Sequence, residues 1–183
     1  MPLGRKTSTI CGVLAVSVAL TACGGSSNVA PSAYVKSICQ AVGPFEKDVQ
    51  SRSSSLNLTS IKSPAQGKQA LQSFLSSVAA DTDQAVSKLK SAGTPDVSNG
   101  TRINNAIVGA FTQLRGALGQ AVTSAKSLPT SSAEAFKNGA ITLGTNVRTS
   151  MSSIGSSLSG LKSPALESAA KKQSACQNLG SGG

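Results

Sequence analysis

The chain of 183 residues contains no histidine and no tryptophan, one tyrosine, four phenylalanines and only seven acidic residues. The missing histidine removes Ser-His and Cys-His nucleophile pairs and most zinc and iron sites at once. The shortage of aromatics leaves nothing on which a run of bases could stack, and beyond residue 22 lysine and arginine occur singly, with only Lys171 and Lys172 adjacent. Both features argue against a nucleic-acid partner. The sparse carboxylates limit acid-base chemistry. Asp81 and Asp83 are two apart, and on a helix that separation sends them to different faces. A pair such as Glu46 and Glu134 would need folding to bring it together. No Gly-x-Ser-x-Gly elbow or phosphate-binding loop occurs; Gly155-Ser156-Ser157 lies within a helical pattern and has no base to activate it. The residues therefore define no catalytic site, no metal site and no cofactor, and the chain reads as non-enzymatic. The ligand-binding residues are unknown at this level.

What is present begins with the N-terminus. Arg5 and Lys6 precede an apolar run from Ile10 to Leu20, which ends in the small residues Thr21 and Ala22. This is the pattern of a secretion signal. The run is about a dozen residues, whereas a spanning helix needs roughly 20, so removal of residues 1–22 is favoured over a permanent membrane span. Leu20-Thr21-Ala22-Cys23, followed by Gly24-Gly25-Ser26-Ser27, resembles the lipobox of bacterial lipoproteins. That resemblance implies a diacylglyceryl group on the Cys23 thiol, palmitate-type acylation, and a mature chain that starts at Cys23. The alternative is an ordinary secretory signal whose Cys23 pairs elsewhere. Each buried methylene contributes about 0.8 kcal/mol, and two or more chains anchor a protein stably. The expected location is thus the extracytoplasmic face of the cell membrane.

Of the four cysteines, Cys11 leaves with the signal and Cys23 is the lipid site. Cys39 and Cys176 remain, and in an exported protein an even remainder reads as one disulfide. Without Arg5 and Lys6, 15 basic residues stand against 7 acidic ones, a net charge of +8 on the 161 residues from Cys23 onward. Outside a bacterial membrane such a surface meets anionic lipid, acidic wall polymer or an envelope protein, and long-range attraction serves any of them.

Residues 23–31 read as a flexible tether and residues 180–183 as a frayed tail, bounding one domain over residues 32–179. Val35, Ile38, Val42, Phe45 and Val49 share a helix face, with a kink rather than an end predicted near Gly43 and Pro44. Ser51 to Lys62 reads as a loop. Ser63-Pro64-Ala65-Gln66 caps a second helix that carries Leu71, Phe74, Leu75, Val78, Ala85, Val86 and Leu89 inward and stops at Gly93. Thr94-Pro95-Asp96 predicts a third start by the same cap-then-proline logic, and Ile107, Phe111, Leu114, Leu118, Ala121 and Ala125 follow at heptad spacing. After Pro129, Ser131-Ser132-Ala133-Glu134 reads as a capping box. Phe136, Ala140, Leu143, Val147, Met151, Ile154, Leu158 and Leu161 form the inward set of the fourth helix. A short helix over about 165–178 returns Cys176 to Cys39.

Strand alternation is missing. With three long helices of about 28 to 30 residues and short linkers, the expected fold is all-α, an up-down antiparallel bundle of four main helices plus a short C-terminal one, closed by one disulfide. Asn57-Leu58-Thr59 and Asn99-Gly100-Thr101 match the N-glycosylation pattern but read as loop chemistry, while the Ser/Thr-rich stretches permit O-linked sugars.

The lipobox, Ala33-Tyr34-Val35 leading to Cys39, Gly93-Thr94-Pro95-Asp96-Val97 followed by Gly100, and Pro164-Ala165-Leu166 leading to Cys176 together resemble small secreted helical lipoproteins of actinobacteria. The resemblance implies a disulfide-closed envelope protein of a family with no established activity. Two functional classes follow: a lipid-anchored interaction or structural module acting through its basic surface, or a carrier of an apolar ligand or lipid in a groove left by small residues such as Thr82, Ala121, Ala140, Gly144 and Ser150.

Overall fold

A computed structural model describes residues 28–56, 61–177 and 179. The signal, Cys23, most of the tether, Asn57-Leu58-Thr59 and the 180–183 tail lie outside the described residues. The elements run β1 (Asn28–Val29), α1 (Pro31–Ser55), α2 (Pro64–Lys90), β2 (Thr94–Pro95), α3 (Gly100–Lys126), α4 (Ala133–Leu158) and α5 (Pro164–Lys172), followed by a 3-10 turn at Ser174–Cys176. The chain is an all-α up-down bundle in which α1 packs on α2, α2 on α3 and α3 on α4, while α5 folds back onto α1.

The apolar periodicity supplies the reason for this order. Leu75 and Val78 of α2, Leu114, Leu118, Ala121 and Ala125 of α3, Leu128 of the α3–α4 connection and Leu143 of α4 form the main buried cluster, with Phe45, Val49, Phe111 and Phe136 packed against it. A second cluster joins Val35 and Cys39 of α1 to Ala169 of α5, with Leu166, Ala170 and Leu179 alongside. The Cys39–Cys176 disulfide, with Cα atoms 5.2 Å apart, lies in this second cluster and links residues 137 positions apart.

Helix α1 passes through Pro44 without ending, because the apolar stripe on either side of the proline stays in phase and its burial outweighs one forgone backbone bond. Its C-terminal end differs from expectation. Ser51 to Ser55 is helical, not loop. Ser54 and Ser55 donate their hydroxyls to the carbonyls of Gln50 and Ser51 at 2.9 and 2.8 Å, so the serines that weakened the helical reading satisfy themselves within the turn. The other three long helices are shorter than expected, at 27, 27 and 26 residues.

Helix α2 starts as the sequence predicts. Ser63 Oγ accepts from the N–H of Gln66 at 3.3 Å, and Gln66 Oε1 reaches back to the N–H of Lys62 at 3.0 Å. It ends at Lys90, and the chain turns away at Gly93, whose φ of 78° suits glycine. The start of α3 is a correction. Thr94 and Pro95 are not a cap and first turn; they form β2, which pairs in parallel with β1. The N–H of Asp96 donates to the carbonyl of Val29 at 2.8 Å. Pro95, fully buried, has no N–H to offer a ladder and is tolerated because the pairing is only two residues long. The helix begins five residues later, after Asn99 with φ 63°, a left-handed position that asparagine adopts more readily than most residues. Gly100 follows because a Cβ there would collide with the Pro95 carbonyl.

Two expectations for α4 also change. Ser132, rather than Ser131, is the cap, accepting from the N–H of Ala135 at 3.1 Å, so Glu134 falls one position short of closing a box and acts as a first-turn acid. Met151 is not inward; it is 53 % exposed. Leu143 is the one buried residue of α4 among those described, which makes this helix the least covered of the four.

Candidate functional site

No cluster of chemistry-bearing side chains was foreseen beyond Cys23, Cys39 and Cys176, so the candidate site is built from what the helices place at their ends and seams. The end where the tether joins carries the most cross-links. β1 meets β2 there, and Tyr34 is buried at 1 % exposure with its hydroxyl donating to Asn104 Oδ1 at 3.2 Å, joining α1 to α3. Burial without a compensating charge pushes the Tyr34 phenol up to about 12, since the apolar surroundings penalise the phenolate. Gln173 Nε2 donates to the Ser32 carbonyl at 3.4 Å, which fixes the C-terminal end of α5 beside the start of α1.

Along the seams the carboxylates act as ties. Asp81 pairs with Arg52 at 3.1 Å and Asp83 pairs with Arg115, so the two acids, on different helix faces as expected, join α2 to α1 on one side and to α3 on the other. Both pairs are at least partly solvated and contribute in the range of about 0–1 kcal/mol each. Glu46 sits midway along α1 and Glu134 in the exposed first turn of α4. No group of three or more His, Cys, Asp or Glu side chains suited to a metal ion is found among the described residues.

Three open grooves flank α1. The largest, about 710 Å³, lies between α1 and the C-terminal segment and is lined by Cys39, Gly43, Pro44, Glu46, Lys47 and Leu179 among others. A second of about 580 Å³ lies between the lower halves of α1 and α2, beside Asp48, Arg52 and Phe74, and a third of about 460 Å³ beside Gln40 and Lys88. The small residues behave differently. Ala121, Ser124, Leu143 and Ser150 enclose only about 70 Å³ between α3 and α4, whereas small-molecule pockets run to roughly 300–1,000 Å³. Close helix approach has used up the room they leave. Thr82, fully buried, turns its hydroxyl onto the Val78 carbonyl at 2.7 Å, and Gly144 faces open space. Phe45 and Phe111 meet edge to face at 5.8 Å, while Phe136 covers Gly67, where an added Cβ would lie 2.5 Å from its ring.

Of the residues that build the tether end, Pro95 reads in the sequence as part of a helix start and Gly100 as loop chemistry, while Asn104, a polar residue within α3, carries no local signal. No helix among the described residues is long and apolar enough to cross a membrane. The chain matches no protein-family model, no curated protein and no solved structure.

Proposed function

We propose that the protein is a lipid-anchored helical bundle of the cell envelope, attached through Cys23 and acting without catalysis as an interaction module through its basic exterior. The Leu20 to Cys23 pattern supports the attachment. The observation that carries the rest is the contrast between interior and exterior. The small-residue seam between α3 and α4 encloses about 70 Å³, while Lys36, Lys47, Lys88, Lys90, Lys126 and Lys137 all stand exposed. Only Arg52 and Arg115 of the cations are used in the interhelix ion pairs described above. A net +8 is therefore left facing an anionic environment of lipid headgroups and wall polymer.

Two measurements test the reading. Incorporation of labelled palmitate by a bacterial host should be abolished by Cys23→Ala; label retained in that variant would remove the anchor. Binding of the protein to an acidic wall polymer should weaken steeply as salt rises and the Debye length shrinks from about 30 Å at 0.01 M to about 8 Å at 0.15 M. Affinity independent of salt would overturn the electrostatic part.

A further inference from the structure

Charge alone does not orient this bundle, because both of its ends are basic. At one end, where α1 and α3 start and α2 and α5 finish, Lys36, Lys90, Arg102, Lys171 and Lys172 are exposed, with Asp96 and Glu167 as the acids nearby. At the other, where α2 and α4 start and α3 finishes, Lys62, Lys126 and Lys137 are exposed beside Glu134. Between the ends, Glu46, Asp48, Asp81 and Asp83 offset the cations of the waist.

The β1–β2 pairing breaks this symmetry. It fixes Asn28 and Val29 against Thr94 and Pro95, in the α2–α3 connection. Asp96 adds a further bond to Val29. Asn28 is five residue steps from Cys23, a reach of at most about 18 Å even when fully extended. A bundle anchored at Cys23 thus has its first end held within the range of the bilayer surface, while the opposite end lies more than 20 residues of helix away, or about 30 Å or more. Confinement raises the effective concentration of lipid at the near end alone.

We propose that this near end is a membrane-docking face, with Lys36, Lys90, Arg102, Lys171 and Lys172 seated on anionic phospholipid headgroups so that the bundle stands upright on the bilayer; the proposal rests on the Cys23 anchor. The cations converge from four helices held by independent ties. The disulfide and the Gln173 to Ser32 bond hold α5 against α1, and Tyr34 with Asn104 holds α1 against α3. Lysines that approach an anionic surface within a Debye length contribute about fivefold each to its occupancy.

The experiment uses the full chain, with its leader, made in a bacterial host and reconstituted on vesicles of phosphatidylcholine alone or of phosphatidylcholine with phosphatidylglycerol. Lysine acetylation rates are read by mass spectrometry. On the anionic vesicles Lys36, Lys90, Lys171 and Lys172 should be modified several-fold more slowly than Lys62, Lys126 and Lys137. That difference should vanish on neutral vesicles and at high salt. In the variant Lys90→Ser, Lys171→Ser, Lys172→Ser, the rate at Lys36 should rise to that of the far-end lysines. Equal rates at both ends, or protection of Lys62, Lys126 and Lys137, on vesicles that carry the protein would overturn the docking face while leaving the anchor intact. A chain that does not float with the neutral vesicles would refute the anchor itself.

Discussion

Tyr34 is the only tyrosine in a chain without tryptophan, and it is buried at the end where β1, α1 and α3 meet. Its phenol, normally near 10, is pushed up to about 12 by desolvation. Ionisation is therefore harder in the folded than in the unfolded protein. The stabilisation that this represents is fully present below pH 10 and is lost as pH rises towards 12. A spectrophotometric titration of the tyrosinate band should accordingly give a midpoint near 12 in the native protein and near 10 in denaturant. Tyr34→Phe should remove the tyrosine contribution to alkaline destabilisation at the cost of leaving Asn104 without its donor, about 1–3 kcal/mol if the amide stays dry. A native midpoint near 10 would mean that water reaches the ring. This interaction was invisible in the sequence, where Tyr34 stood out only as part of the phrase leading to Cys39 and Asn104 had no distinguishing neighbour. A tie between residues 70 positions apart depends on the relative placement of two helices, which no local pattern encodes.

Helix α4 tests how far an apolar period specifies burial. The inward set read for it includes both Leu143 and Met151, yet the first is 7 % exposed and the second 53 %. The period fixes which face of a helix is apolar, but the partner helix decides how much of that face is covered, and α4 rests mainly on α3. Leu143→Ala should cost about 2–4 kcal/mol, through lost transfer energy and a residual cavity. Met151→Lys should change stability by less than about 0.5 kcal/mol. Denaturant unfolding of the two variants measures both, and comparable losses would show that α4 is buried along its whole length. The helices themselves, the Ser63 cap and the turn at Gly93 were legible, because capping and periodicity are local chemistry. The start of α3 was not. Thr94-Pro95 carries the same letters as a helix start, and only the return of Asn28 and Val29 beside it turns the segment into a paired strand with the cap delayed to Asn99. The serine tail of α1 failed for the opposite reason: its hydroxyls bond backward within the helix, so composition suggested a loop that the turn geometry does not need.

The whole molecule is held as two apolar clusters of unequal size. The larger spans α2, α3 and α4; the smaller joins α1 to α5 and contains the disulfide. Pairing of Cys39 with Cys176 was legible once Cys11 and Cys23 were set aside, since only two thiols remained. What the sequence could not convey is that the bridge fastens the minor cluster and leaves the major one to its own packing. Constraining a loop of 137 residues removes about 5 kcal/mol of chain entropy from the unfolded state in the loop-closure model. That figure applies in full only if removal of the bridge leaves everything else folded as one unit. Here α5 has nine residues and a single buried side chain, Ala169, too little apolar surface to hold it alone against its ordering entropy. In Cys39→Ser, Cys176→Ser the segment from Pro164 to Gln177 should open first. Its amide protection should fall towards that of a frayed terminus, while Leu114, Leu118 and Ala121 in α3 keep most of theirs. Hydrogen exchange read by mass spectrometry separates the outcomes. Uniform loss across α3 and α5 would mean that the two clusters unfold as one, and unchanged protection over residues 164–177 would mean that α5 is docked by its own contacts. Opening of α5 also frees Lys171 and Lys172 from their fixed place beside the start of α1, so the same double variant, on anionic vesicles, should lose the acetylation protection of those two lysines relative to Lys36 and Lys90, which stay on α1 and α2.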